Sequence, residues 1–145
     1  MSKVEDFLSK EEEQDIVEAI RVAEKNTSGE IRVHIEKTSS KAPFERALEL
    51  FHKLKMDETQ LQNGVLFYFA VEDKSFAICG DKGINDAVAA DFWDCTKDAM
   101  TEQFKLGNFK KGIVDGILNA GVQLKKYFPW SEEDTNELSN EISKG

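Results

Sequence analysis

An apolar strand that ends among glycines and oxygen-bearing side chains can hold an ion, and the run Cys79-Gly80-Asp81-Lys82-Gly83-Ile84-Asn85-Asp86 has that form. Its glycines let the backbone turn sharply and approach a ligand closely, while Asp81, Asn85 and Asp86 offer hard oxygen donors suited to Ca2+ or Mg2+. The run is not an EF-hand: counting from Asp81, the sixth position is Asp86 where that loop needs glycine, and the twelfth is Phe92 where it needs glutamate. An ion held here must draw ligands from distant segments. The competing reading is ordinary turn and cap chemistry, which Asp and Asn favour in such loops.

Other chemistries find less support. A cysteine-dependent phosphatase needs an arginine six residues after its thiol, and Asn85 stands there after Cys79. No Asp-x-Asp ends a strand, and Gly107-x-x-x-x-Gly112 runs on into Ile113-Val114 rather than the Lys-Ser/Thr of a phosphate loop. Attack by a metal-bound water remains open, with Asp81 and Asp115 as ligands and a neighbouring carboxylate as base. His34, on the polar side of a strand, and His52, off a helix's apolar stripe, read as surface residues.

The elements that must position these residues follow from hydrophobic period. Ser9 with Glu12 forms a capping box, and Ile16, Val17, Ile20 and Ala23 recur at helical spacing until Asn26-Thr27-Ser28-Gly29. Glu30 to Thr38 alternates as a half-buried strand near a sheet edge. Pro43 opens a second helix with Phe44, Ala47, Leu48, Phe51 and Leu54 on one face. Asn63-Gly64 leads into the continuous apolar run Val65 to Val71, a central strand buried on both faces. A short turn returns the chain as Phe76-Ala77-Ile78-Cys79. Asp91 is placed to cap a third helix, and a fourth runs from about Asn108 to Tyr127, where Gly112, Gly116 and Gly121 predict close packing on the sheet.

A helix between the first two strands makes them parallel through a right-handed crossover, so both start at one sheet end, and the third strand returns to it. Glu24, Glu30, Asn63 and Asp81 are thereby expected to converge, with Asp115 completing the shell. The architecture predicted is a three-layer α/β/α sandwich, a mixed sheet of three to four strands flanked by about four helices. Residues 1–8 are read as an N-terminal arm, 9–129 as the domain and 130–145 as an acidic tail, a frayed short helix or disordered, with only Leu138 and Ile142 to bury from Ser131 on.

The 145 residues suit one domain with a core of its own, and the formal charge of −9 comes without any lysine-arginine run. Binding to nucleic acid or anionic lipid would oppose that field. No stretch of 18 apolar residues exists, and the start lacks the pattern of a secretory signal, so the expectation is a cytoplasmic, monomeric protein with Cys79 and Cys95 as buried free thiols. Phe128-Pro129-Trp130 reads as packing or as cover for a docking edge.

The order Glu24, Thr27-Ser28-Gly29-Glu30-Ile31, Asn63-Gly64-Val65-Leu66, Gly80-Asp81-Lys82-Gly83-Ile84 and Phe104-Lys105-x-Gly107-x-Phe109-x-x-Gly112 resembles the TPM domain over roughly residues 9 to 128. The resemblance implies an α/β/α sandwich with acidic residues at one sheet end, divalent-cation binding in some members, and a weak acid-phosphatase activity in plant thylakoid members. Other members serve photosystem repair or accompany a neurotransmitter receptor. It implies a cation-binding module with a regulatory or protein-interaction role and an unidentified protein partner; the alternative is a weak metal-dependent phosphomonoesterase at the same acids. Glu24, Glu30, Asp81 and Asp115 fall where the family places acids or polar equivalents, and Asn63-Gly64 on its Asn-Gly. Gln62 departs from it, a neutral amide where many members carry an acid. The membrane anchor and signal peptide of many members have no counterpart here.

Overall fold

The computed structural model describes residues 8–59, 62–89, 91–130 and 142–144. Helix α1, Lys10–Glu24, begins on the capping box read from the sequence: the Ser9 hydroxyl accepts from the Glu12 N–H at 3.1 Å, and the Ser9 N–H donates to Glu12 Oε1 at 3.1 Å. Strand β1 spans Glu30–Glu36, helix α2 Pro43–Lys53, strand β2 Gly64–Ala70 and strand β3 Ser75–Gly80. A short helix α3, Lys82–Ala87, follows, then α4, Asp94–Lys105, α5, Phe109–Leu124, and a two-residue strand β4, Ser143–Lys144. A 3-10 turn at Met56–Glu58 lies between α2 and β2.

The sheet order is β3-β2-β1-β4. Strands β1 and β2 run parallel from Glu30↔Gly64 to Glu36↔Ala70, and β3 returns antiparallel from Ala70↔Ser75 to Val65↔Gly80. Mixed topology and the α/β/α layering agree with the sequence reading. β2 is buried along its whole length because both its faces are covered. On one face Val65, Phe67 and Phe69 join Ile31, Val33 and Ile35 under α1 and α5; on the other Leu66, Tyr68 and Ala70 pack with Ala47, Leu50 and Phe51 of α2.

Several expectations are corrected. β1 is not the edge: β4 pairs with it in parallel at His34↔Ser143 and Ile35↔Lys144, so the last part of the acidic tail adds a strand. Residues 131–141, Leu138 among them, and 1–7 of the N-terminal arm lie outside the described residues, while Leu8 is buried against the core. The loop after Cys79 contains a helical turn, α3, and Asp91 opens the turn before α4 by accepting from the Asp94 N–H at 3.0 Å rather than capping the helix. Cys95 is exposed, because α4 turns Thr96 and Met100 inward, one position further round. The glycines of α5 admit other helices, not the sheet: a Cβ at Gly116 would stand 2.5 Å from the Met100 side chain, and one at Gly121 2.8 Å from the Ala23 Cβ.

Candidate functional site

The strand directions bring four of the predicted residues to one end of the sheet. The Glu30 N–H donates to the Asn63 carbonyl at 3.1 Å, and the Asp81 N–H to the Gly64 carbonyl at 2.9 Å, which ties the starts of β1 and β2 to the end of β3. The Glu24 carboxylate closes the row by accepting from the Ile31 N–H at 3.1 Å. Asn63, 2 % exposed, donates its side-chain amide to the Ser28 carbonyl at 2.9 Å and so fastens the turn after α1 to the start of β2. That turn is itself held to the end of α5, where Phe128 O accepts from the Ser28 N–H at 2.8 Å and from the Thr27 hydroxyl.

These residues form a row rather than a cup. Within β1 the backbone groups of Glu30 point toward β2 and those of Ile31 away from it, so Glu24 stands on the far side of β1 from Asp81. With strands about 4.8 Å apart, Asp81, Gly64 and Glu30 occupy successive places across the sheet end. Among the described residues no three of His, Cys, Asp and Glu are grouped closely enough to hold a metal ion by themselves.

Within the row, the two oxygens of Asp81 are in different situations. It is the N-cap of α3, with extended backbone (φ −69°, ψ 171°), and its Oδ1 accepts from the Lys82 N–H at 2.7 Å. Its Oδ2 is buried and meets no hydrogen-bond donor among the described residues. Burying carboxylate oxygen without a donor is costly, and a cation is one group that would relieve it. Glu30, 5 % exposed, is the buried acid one strand beyond β2. The donor set of carboxylate oxygens fits a hard divalent cation that keeps several waters, the Mg2+ habit of binding through one or two carboxylates. Behind Asp81, burial and then the Asp81 charge push the Cys79 thiol up to about 11, which keeps it protonated and unreactive.

Two predicted ligands stand elsewhere. Asp86 is exposed, more than a turn along α3 from Asp81. Asp115 lies in the middle of α5 and pairs with Lys111 at 3.0 Å. α1 and α5 run in the same direction, as the Asp15–Lys110 pair (3.3 Å) near their starts and Gly121 against Ala23 near their ends require. The sheet end that carries Glu24 is therefore the C-terminal end of α5, about 13 Å along the axis from Asp115.

A second polar constellation, which the sequence reading passed over, occupies the opposite sheet end. Glu36, 5 % exposed, accepts from Arg46 Nε at 2.9 Å, from the other arm of that guanidinium at 3.0 Å, and from the Tyr68 hydroxyl. His34, 3 % exposed, approaches Glu36 Oε1 with Nε2 (3.4 Å) and Ser143 Oγ with Nδ1 (3.0 Å), and its ring stacks at 6.0 Å from that of Tyr68. Burial outweighs the neighbouring carboxylate and lowers the His34 pKa. Burial raises that of Glu36, but the Arg46 and Tyr68 hydrogen bonds outweigh it and hold the carboxyl below its ordinary value. Tyr68 is raised by burial and by Glu36. His34 is thus no surface residue, because the Tyr68 ring, the Glu36 carboxylate and Ser143 of β4 lie against it. The available signal was a histidine and a glutamate two apart on a strand, with a tyrosine at the matching register of the next strand.

Among functionally curated proteins none matches the chain. Solved structures do. The chain is 66 % identical to the BA42 protein of the psychrophilic bacterium Bizionia argentinensis, over the full length of both, with a TM-score of 0.93. The N-terminal domain of a P. gingivalis protein has a TM-score of 0.70 at 18 % identity, covering 84 % of this chain and 79 % of that one. The N-terminal domain of a Corynebacterium glutamicum protein has a TM-score of 0.64 at 11 % identity, covering 95 % and 80 %, and with the previous one it bears on the fold alone. The family model of the TPM domain matches residues 1–123, so the chain belongs to the TPM domain family.

Proposed function

We propose that the sheet end headed by Asp81 binds a divalent cation, Ca2+ or Mg2+, and that the protein works as a cation-dependent regulatory or protein-interaction module. The observation that carries this reading is Asp81 Oδ2, a buried carboxylate oxygen with no donor among the described residues. Asp81 is the anchoring ligand and Glu30 the second acid within reach of the same end; Asn63 and Glu24 hold the strand starts in place around them. With so few protein ligands the ion keeps much of its water, and the affinity is modest.

Thermal melts of wild type and Asp81→Asn, with and without 10 mM CaCl2 or MgCl2, test the assignment. An ion that binds only the folded state raises Tm by mass action, so wild type gains stability on adding the ion and the variant does not. Equal shifts in both proteins, or none in wild type, would sink the proposal. Hydrolysis of a phosphomonoester by an ion-bound water is the competing use of the same acids. Phosphate release from a generic monoester that is lost in Asp81→Asn would favour it, and release that survives the substitution would belong to another site or a contaminant.

A further inference from the structure

At the other side of the sheet, β3 has an open edge that lies at the bottom of a cleft. Among the described residues, strand order leaves no neighbour beyond β3. Hydrogen-bond alternation fixes which of its groups face outward. The Asp81 N–H bonds the Gly64 carbonyl, so Asp81, Cys79, Ala77 and Ser75 point toward β2, and Gly80, Ile78 and Phe76 point away. The outward Gly80 carbonyl is already taken by the Asn85 side chain at 3.1 Å. The N–H and C=O of Phe76 and Ile78 are left facing the cleft.

Native edge strands are commonly blunted by proline, lysine or a bulge. β3 carries no proline and no charge, and its register with β2 is unbroken over its whole length. Walls from both helical layers flank it instead: Phe44, 55 % exposed, from the start of α2, and Trp93 with Lys97 from the start of α4. The cleft they enclose measures about 460 Å3, and Lys97 is its one charged lining residue, with no ion pair to any described residue.

We propose that this cleft is a docking site for an extended peptide segment of a partner protein, which adds to β3 as a fifth strand. Its backbone pairs with Phe76 and Ile78, an apolar side chain meets Phe44 on one face, another meets Trp93 on the opposite face, and a carboxylate answers Lys97. Strand addition of this kind takes its affinity from main-chain hydrogen bonds and its specificity from alternate side chains. A second copy of the chain fits less well. Its own β3 is uncharged throughout and leaves Lys97 unanswered, and each copy brings a formal charge of −9.

The test uses the full-length chain and a panel of acetylated seven-residue threonine peptides with valine at two adjacent positions, one for each face, and one glutamate stepped through the other positions. Hydrogen exchange followed residue by residue should show the Phe76 and Ile78 amides unprotected in the free protein and slowed at least about tenfold by the best peptide, while Ala77 and Cys79 are protected throughout. Lys97→Glu should weaken that peptide about tenfold, and the matching lysine peptide should recover binding to the variant. No protection by any peptide at millimolar concentration would overturn the proposal. Protection of Phe76 and Ile78 that rises with protein concentration alone would overturn it in favour of self-association.

Discussion

Glu36 illustrates how one residue can decide the character of a sheet end. Its carboxylate is desolvated, yet two guanidinium hydrogen bonds and a tyrosine hydroxyl keep it ionised, and His34 lies beside it as a neutral ring. Both groups make stability depend on pH in the same sense. A histidine with a depressed folded-state pKa leaves the unfolded chain binding more protons below its ordinary 6.5, so stability is full above that pH and falls as pH drops through it. A carboxyl with a depressed folded-state pKa keeps its contribution above its ordinary 4.5 and loses it at lower pH. Melting curves of wild type should therefore fall in Tm between pH 7 and pH 5.5, and His34→Gln should flatten that interval while leaving the later drop below pH 4.5. An unchanged slope in the variant would remove His34 from the account. The residues of this cluster were hard to read from the chain because alternation reports only which side chains share a face. It does not say that a neighbouring tyrosine and the pairing of β4 bury the polar one. Asp115 stands apart from the row for a related reason: its acidity is visible in the chain, but the direction of α5 relative to α1 is a tertiary fact.

Among the elements, α1 and α5 are the pair that holds the candidate site in position. Their ends meet where Gly121 lies against Ala23, and the turn that follows α1 is hydrogen-bonded to the residues that follow α5. A side chain at Gly121 has the Ala23 backbone within 2.9 Å and no flexible group to displace. Gly121→Ala should thus cost about 1–3 kcal/mol in urea unfolding, as overpacking does. The double variant with Ala23→Gly should be more stable than the sum of the two singles by about 0.5 kcal/mol or more. Strict additivity would show that the two helices yield there independently. The main elements were legible in the chain: the capping box, Pro43, the uninterrupted run through β2 and the tight return to β3 each act through local chemistry. What escaped was short or borrowed. α3 is a six-residue helix capped by Asp81, and β4 has two residues whose strand geometry exists only because β1 lies beside them.

As a whole molecule, this TPM domain is a sheet with a distinct device on each free side. One end gathers Asp81, Asn63, Glu30 and Glu24 through parallel strands and a hairpin; the other end is closed by the Glu36 network, and β3 leaves a walled edge. No helix among the described residues is long and apolar enough to cross a membrane. The convergence of four acidic or amide residues was readable from the crossover and hairpin, since both fix strand direction. Their spread into a row was not, because it depends on which way each backbone group points. Whether the row takes a divalent cation at Asp81 is decided by titrating metal-free protein with Ca2+ and Mg2+ and following the backbone amide signals. Saturable shifts are expected at Gly80, Asp81, Lys82 and Glu30 at millimolar ion, absent in Asp81→Asn, with Asp115 unmoved. Shifts centred on Asp115, or no saturable response at Asp81, would contradict cation binding by the row.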